Sequence, residues 1–89
     1  MTPHEAEILA INALTFLAQS PEDLDRFVTL SGIAPTDLRA RAGDPEILAA
    51  VLDFMLSDDS RVTGFCEAIA IDPRELHAAR RALPGAAHD

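Results

Sequence analysis

Apolar and polar residues recur along the chain with the spacing of short amphipathic α-helices, and proline and glycine separate the segments. No segment alternates β-branched and polar residues as a strand would. Most segments begin with a capping side chain followed by proline, an arrangement found at Thr2-Pro3, Ser20-Pro21, Asp44-Pro45 and Asp72-Pro73. The pattern predicts an all-α domain, a compact bundle of five or six short helices. Their expected ranges are about 3–19, 21–31, 35–43 and 45–56, then a fifth helix that ends near 71, and 73–83. Asp58, Asp59 and Ser60 are alternative caps for the fifth helix.

The sequence also matches itself after a shift of 38 residues. This shift places Phe16 on Phe54 and Phe27 on Phe65, and it aligns many of the aliphatic positions between them. Such self-similarity indicates two copies of one helical unit that share a core. We therefore predict a pseudo-repeat of two three-helix units within a single domain, residues 3–43 and 44–83, followed by a tail of residues 84–89.

Helices 1 and 4 are apolar over most of their circumference, with only a narrow polar stripe on each. Helices of this kind are buried on several sides. We expect them to form the central pair, with the other four helices packed outside. Phe16 and Phe54 are then expected near the pseudo-twofold axis of the repeat.

The charge of the chain limits the classes of partner that it can bind. The formal net charge of its 89 residues is −8, and no lysine is present. Nucleic acids and acidic membrane surfaces are therefore disfavoured as partners, because binding them requires many cationic side chains. The longest apolar stretches, residues 8–18 and 47–56, are too short to span a bilayer and contain polar residues.

Candidate chemistry is sparse. Most of the 15 acidic residues lie at helix starts, where they interact favourably with the helix dipole. The three histidines are scattered, and no metal-ligand spacing or glycine-rich phosphate loop occurs. Cys66, the single cysteine, aligns with Val28 in the other copy and is expected in the core of a protein from a reducing compartment. We expect no catalytic activity, no cofactor and no metal, and a cytoplasmic location.

One segment suggests nucleic-acid binding as an alternative. Helix 2, the turn at Gly32 and helix 3 follow the pattern of a helix-turn-helix, in which Thr36, Arg39 and Arg41 would contact the nucleic acid. Asp37 on the same helix and the acidic character of the whole chain oppose this interpretation. The second copy has Ala70 where the turn glycine is expected.

By elimination we favour a small adaptor, a protein-interaction module whose partner the sequence does not identify. A groove between the two units is expected to accept a partner helix, with an acidic rim that selects a basic one. Asp58 and Asp59 are the predicted partner contacts, because Asp58, Asp59 and Ser60 together exceed what one helix start needs. The remaining alternative is a homodimer formed through the exposed part of an apolar helix, for example at Val51, Met55 or Leu83.

The whole chain resembles a family of small alphaproteobacterial proteins that is known only as a domain of unknown function. The segments that carry the resemblance are residues 30–39, 53–59, 65–67, 72–73 and 80–85. The resemblance implies a cytoplasmic bacterial protein, and it brings no catalytic residues with it.

Overall fold

The computed structural model describes residues 1–84, which contain helices and turns but no strand. The helices are α1 (Pro3–Ala18), α2 (Pro21–Ser31), α3 (Pro35–Ala40), α4 (Pro45–Leu56), α5 (Asp59–Ile69) and α6 (Pro73–Arg81). Together they form a body of about 30 × 26 × 22 Å. The predicted all-α fold of six short helices is confirmed. The predicted tail, apart from Pro84, lies outside the described residues.

The helices begin where the capping pattern predicts. Side chains accept hydrogen bonds from first-turn N–H groups in five of them, the caps being Thr2, Ser20, Asp44, Asp58 and Asp72. Asp58 is thus the cap of α5 among the three candidates. Only α3 starts without a side-chain cap, because Ala34 precedes its first residue. A cap of this kind contributes about 1 kcal/mol to stability.

Two helices end in a left-handed residue. Gly32 after α2 has φ 72°, as predicted, and Ala70 after α5 has φ 59°. The N–H of Ile71 then donates to the carbonyl of Cys66 at 3.0 Å, which closes the helix end. The second turn therefore adopts the left-handed conformation without glycine, and α5 ends two residues before the predicted position.

The end predicted for helix 3 at residue 43 is wrong. α3 stops at Ala40, because the chain turns over residues 41–44 and the N–H of Asp44 donates to the carbonyl of Arg41 at 2.9 Å. This turn brings Asp44 into position as the cap of α4. α6 is also shorter than predicted and ends at Arg81, while Leu83 beyond it is buried.

The core forms around α1 and α4, which pack against each other more extensively than any other pair of described helices. The predicted central pair is confirmed. α6 contacts both members of the pair, whereas α3 buries only Leu38. Helices 3 and 6 occupy corresponding places in the two predicted units, but α6 packs against the central pair more extensively than α3 does. The largest fully buried side chains are Leu17, Phe27, Leu48, Leu52, Met55, Phe65 and Leu76.

The phenylalanines pair across the two predicted units. Phe16 lies 5.4 Å from Phe65 and Phe27 lies 5.5 Å from Phe54, measured between ring centroids. The 38-residue shift converts one pair into the other. It also relates Asp23 to Arg61, whose side chains approach to 3.4 Å. The pseudo-repeat itself stays a prediction, because α6 packs on both helices of the central pair while α3 makes no comparable contact with them.

Candidate functional site

An open groove lies between α1, α2 and α3, with a volume of about 350 Å³. Its apolar lining comes from Leu14 and Ala18 of α1, Leu24 and Val28 of α2, and Pro35 and Leu38 of α3. We call it the α1–α2–α3 groove. Its volume lies in the range of about 300–1,000 Å³ that is typical of ligand-binding clefts.

The groove exists because α3 is too short and too small to fill the space beside α1 and α2. It has six residues, of which only Leu38 is buried. Ala42, which also lines the groove, adds little volume. The groove lies within the first predicted unit, not between the two units where the sequence suggested a partner site.

An exposed strip on α1, apolar at Ile8, Ile11 and Ala18, reaches the groove at its Ala18 end. His4, Ile8, Ile11, Thr15 and Ala18 are all exposed, and their spacing places them on one face of the helix. We call this face the α1 strip. Ile8 is 49% exposed and Ile11 43%. Ala18 belongs to both the strip and the groove. The prediction that helix 1 is buried on several sides is therefore wrong for this face.

Two charged residues of opposite sign line the groove. Asp25 comes from α2 and Arg39 from α3. Both side chains are exposed, and neither takes part in an ion pair or side-chain hydrogen bond within residues 1–84. Their charges therefore remain available to a molecule that enters the groove.

The residues predicted for nucleic-acid contact lie on or next to α3, but they do not act alike. Thr36 and Arg39 are exposed. Arg41 instead donates to the carboxylate of Asp44 at 2.9 Å. This hydrogen bond raises the pKa of Arg41, and together with the N–H of Glu46 it lowers the pKa of Asp44. Arg41 thus has a structural partner, while the nucleic-acid alternative stays a prediction.

The predicted partner contacts, Asp58 and Asp59, lie at the start of α5. Asp58 accepts hydrogen bonds from the N–H groups of Ser60 at 2.8 Å and Arg61 at 3.4 Å, so capping accounts for its side chain. Asp59 is exposed in the first turn. Their role in partner binding stays a prediction, which a change of Asp59 tests more cleanly than a change of the cap.

The residues suggested for a homodimer interface are buried. Val51 and Met55 lie in the core of α4, and Leu83 is covered after α6. The expected exposure of these three side chains is therefore wrong, and the homodimer alternative itself stays a prediction. The large apolar residues that are exposed within the described chain are Met1, Ile8, Ile11 and Leu30.

Cys66 lies in the core, as predicted. Burial raises the pKa of its thiol, and the carboxylates of Asp72 and Glu75 act in the same direction. A thiol of this kind is a poor nucleophile at neutral pH. Within residues 1–84, no group of three or more His, Cys, Asp or Glu side chains is arranged to hold a metal ion.

Arg61 has a structural role that the sequence did not indicate. Its side chain is 8% exposed, and its guanidinium lies 4.1 Å from the centroid of the Phe54 ring. The same group donates to the carbonyl of Phe54 at 3.2 Å and approaches Asp23 at 3.4 Å. Arg61 and Asp23 do align under the 38-residue shift, but alignment alone does not predict a contact between two side chains.

A second cleft lies between α2 and α4, on the boundary of the two predicted units. Phe27 and Phe54 line it, and Leu30 stands beside them at 71% exposure. Asp53, which also lines it, is held by Arg80 through a hydrogen bond of 2.6 Å. This cleft offers fewer free polar groups than the α1–α2–α3 groove.

None of the helices within residues 1–84 has the length and apolarity needed to cross a membrane. No curated protein and no solved structure matches the chain. A family model matches it over residues 3–86, which includes all six helices and both sides of the groove. The chain therefore belongs to the family described as "Protein of unknown function (DUF3572)".

Proposed function

We propose that this chain is a small protein-interaction module, a cytoplasmic adaptor that docks an α-helix of a partner protein in the α1–α2–α3 groove. The observation that carries the proposal is the open, mostly apolar groove of about 350 Å³ beside the exposed side chains of Ile8 and Ile11. Apolar surface of this kind costs free energy while it faces water, and a partner that covers it recovers that free energy.

A helix fits the shape of this surface better than an extended chain. The α1 strip and the groove both lie along α1, and both expose apolar side chains. The described chain has no sheet edge to which an extended peptide could add as a strand. An amphipathic helix offers anchors at helical spacing that enter such a groove. The proposed role needs no catalytic group.

The net charge of −8 adds a preference for partners with a positive surface. Long-range attraction raises the association rate of oppositely charged proteins and falls with salt. The cytoplasmic location is supported by one buried thiol, which a reducing compartment leaves unpaired.

Substitutions at the groove test the proposal. Ala18→Arg places a long side chain at the groove from an exposed position at the end of α1, and Ile11→Glu introduces a charge into the α1 strip. Leu30→Glu is the matched control, because Leu30 is exposed but lies outside both surfaces. The tagged variants are compared by affinity capture from a nuclease-treated native lysate, with circular dichroism as the check on folding.

We expect one stoichiometric protein partner with the unmodified chain and with Leu30→Glu, and its loss with Ala18→Arg and Ile11→Glu. A partner retained by both groove variants contradicts the proposal. Enrichment that disappears on nuclease treatment and depends on Arg39 instead favours the helix-turn-helix alternative.

A further inference from the structure

Asp25 and Arg39 stand on different walls of the α1–α2–α3 groove, one on α2 and the other on α3. The rest of the lining is apolar apart from backbone groups. Neither charged side chain has an ion-pair partner among residues 1–84. An apolar groove with one anion on one wall and one cation on the other distinguishes the two sides of whatever enters it.

We infer that the occupant is an amphipathic helix whose apolar face is flanked by a basic residue on one side and an acidic residue on the other. The basic residue faces Asp25 and the acidic residue faces Arg39. This inference rests on the proposed function, and it adds the chemistry of the partner and its orientation in the groove. Asp25 and Arg39 are then specificity-determining residues.

Charge complementarity supports this occupant over a second copy of the chain. Each copy carries a net charge of −8, so two copies repel each other at long range. A partner helix with a basic flank is attracted to this acidic chain, whereas a second copy of the chain is repelled by it.

The opposite placement of the two charges also fixes the direction of the helix. A helix turned end for end exchanges its flanks, so that acid meets Asp25 and base meets Arg39. Like charges brought together cost free energy, and a device that penalises the wrong arrangement gives specificity. Since both charges are exposed, each one is expected to change the affinity modestly, by roughly two- to tenfold on reversal.

The test uses a displayed library of 18-residue helical peptides with a fixed apolar face of Leu and Ala. The flanking positions vary among Lys, Glu and Gln. The full chain selects from this library in three forms: unmodified, with Asp25→Arg, and with Glu67→Arg as a control. Both substitutions replace an exposed carboxylate with a guanidinium, and the control lies on α5, outside the groove.

We expect the unmodified chain and the control to enrich peptides with base on one flank and acid on the other, and the groove variant, whose two groove charges are both positive, to enrich peptides with acid on both flanks. If peptides bind and Ala18→Arg abolishes binding, but all three forms enrich the same charges, the inference is overturned while the proposed function stands.

Two other results separate the inference from the proposed function. If no peptide depends on Ala18, helix docking in the groove is itself contradicted. If sedimentation reveals a dimer of the unmodified chain that Ala18→Arg dissociates, a second copy occupies the groove and the inference is overturned.

Discussion

Ala70 holds a backbone conformation that alanine seldom adopts, and it does so at the position that corresponds to Gly32. The φ angles are 59° for Ala70 and 72° for Gly32. A left-handed residue with a side chain costs about 1–2 kcal/mol, and glycine avoids this cost. Nothing lies within 4 Å of a Cβ built on Gly32, so conformation alone decides what a substitution there does.

Opposite substitutions at these two positions are expected to have opposite effects. Gly32→Ala lowers the free energy of unfolding by about 1 kcal/mol, because alanine takes on the left-handed strain. Ala70→Gly raises the free energy of unfolding by about 0.5–1 kcal/mol. The substitution relieves the left-handed strain, and the greater conformational entropy of glycine in the unfolded chain offsets part of this gain. Urea denaturation measures both changes. A stabilising Gly32→Ala contradicts the account of this turn.

Arg61 illustrates how one side chain joins three elements. It belongs to α5, lies over a ring from α4 and approaches a carboxylate from α2. Its Nε is buried and has no hydrogen-bond partner within the described chain. The stacking on Phe54 contributes to holding the guanidinium in place, in addition to its hydrogen bonds to the carbonyl of Phe54 and the carboxylate of Asp23.

At the level of helices, the two phenylalanine pairs join the predicted units. The pair of Phe27 and Phe54 connects α2 to α4, and the pair of Phe16 and Phe65 connects α1 to α5. Phe54 is buried, whereas Phe16 is only partly buried. The two equivalent positions therefore contribute unequally to stability.

Truncation of these side chains measures that inequality. Phe54→Ala is expected to lower the free energy of unfolding by about 3–5 kcal/mol, because it removes a buried ring and leaves a cavity beside Phe27. Phe16→Ala is the matched control and is expected to cost less, because part of its ring already faces water. Thermal and urea unfolding measure both. A nearly unchanged melting temperature for Phe54→Ala contradicts the central role of α4.

The helices were predictable where their signals are local. Caps followed by proline fixed the starts of α1, α2, α4 and α6, because each cap bonds to N–H groups within its own first turn. The end of α3 was not predictable in this way, since it depends on the turn that brings Arg41 to Asp44. The exposure of Ile8 and Ile11 was also not predictable from the sequence, because hydropathy does not indicate which face of an apolar helix is covered by neighbouring helices.

The groove itself was not predictable from the sequence. It results from the gap that a six-residue helix leaves between α1 and α2, and no local pattern encodes a gap. The sequence identified Arg39 as a candidate contact for nucleic acid, not for a partner helix. Its place in the same apolar groove as Asp25 became visible only in the assembled fold.

For the whole molecule, several surface carboxylates are stabilised in their charged form. Hydrogen bonds from Thr2, Arg41 and Arg74 lower the pKa of Glu5, Asp44 and Asp72, respectively. A carboxyl whose pKa is lower in the folded state than in the unfolded state raises the free energy of unfolding at any pH above the unfolded pKa. This contribution is lost as the pH falls through the folded pKa.

The free energy of unfolding is therefore expected to fall as pH drops below about 4, the ordinary range of Asp and Glu. Asp44→Asn plus Asp72→Asn is the matched variant, because asparagine still caps a helix but does not titrate. Urea denaturation between pH 7 and pH 2.5 is expected to give a shallower acid loss for this variant. An equal or steeper loss contradicts the role of these carboxylates.

For the molecule as a whole, we propose that the α1–α2–α3 groove docks a helix of a partner protein. Site-specific photo-crosslinking in the native cell examines this contact, with a photoreactive phenylalanine analogue at Ala18 and, as the control, at Leu30. We predict that position 18 crosslinks to one amphipathic segment of one protein, identified by mass spectrometry, and that position 30 does not. The reverse result, or crosslinks from position 18 to no defined segment, would contradict the account.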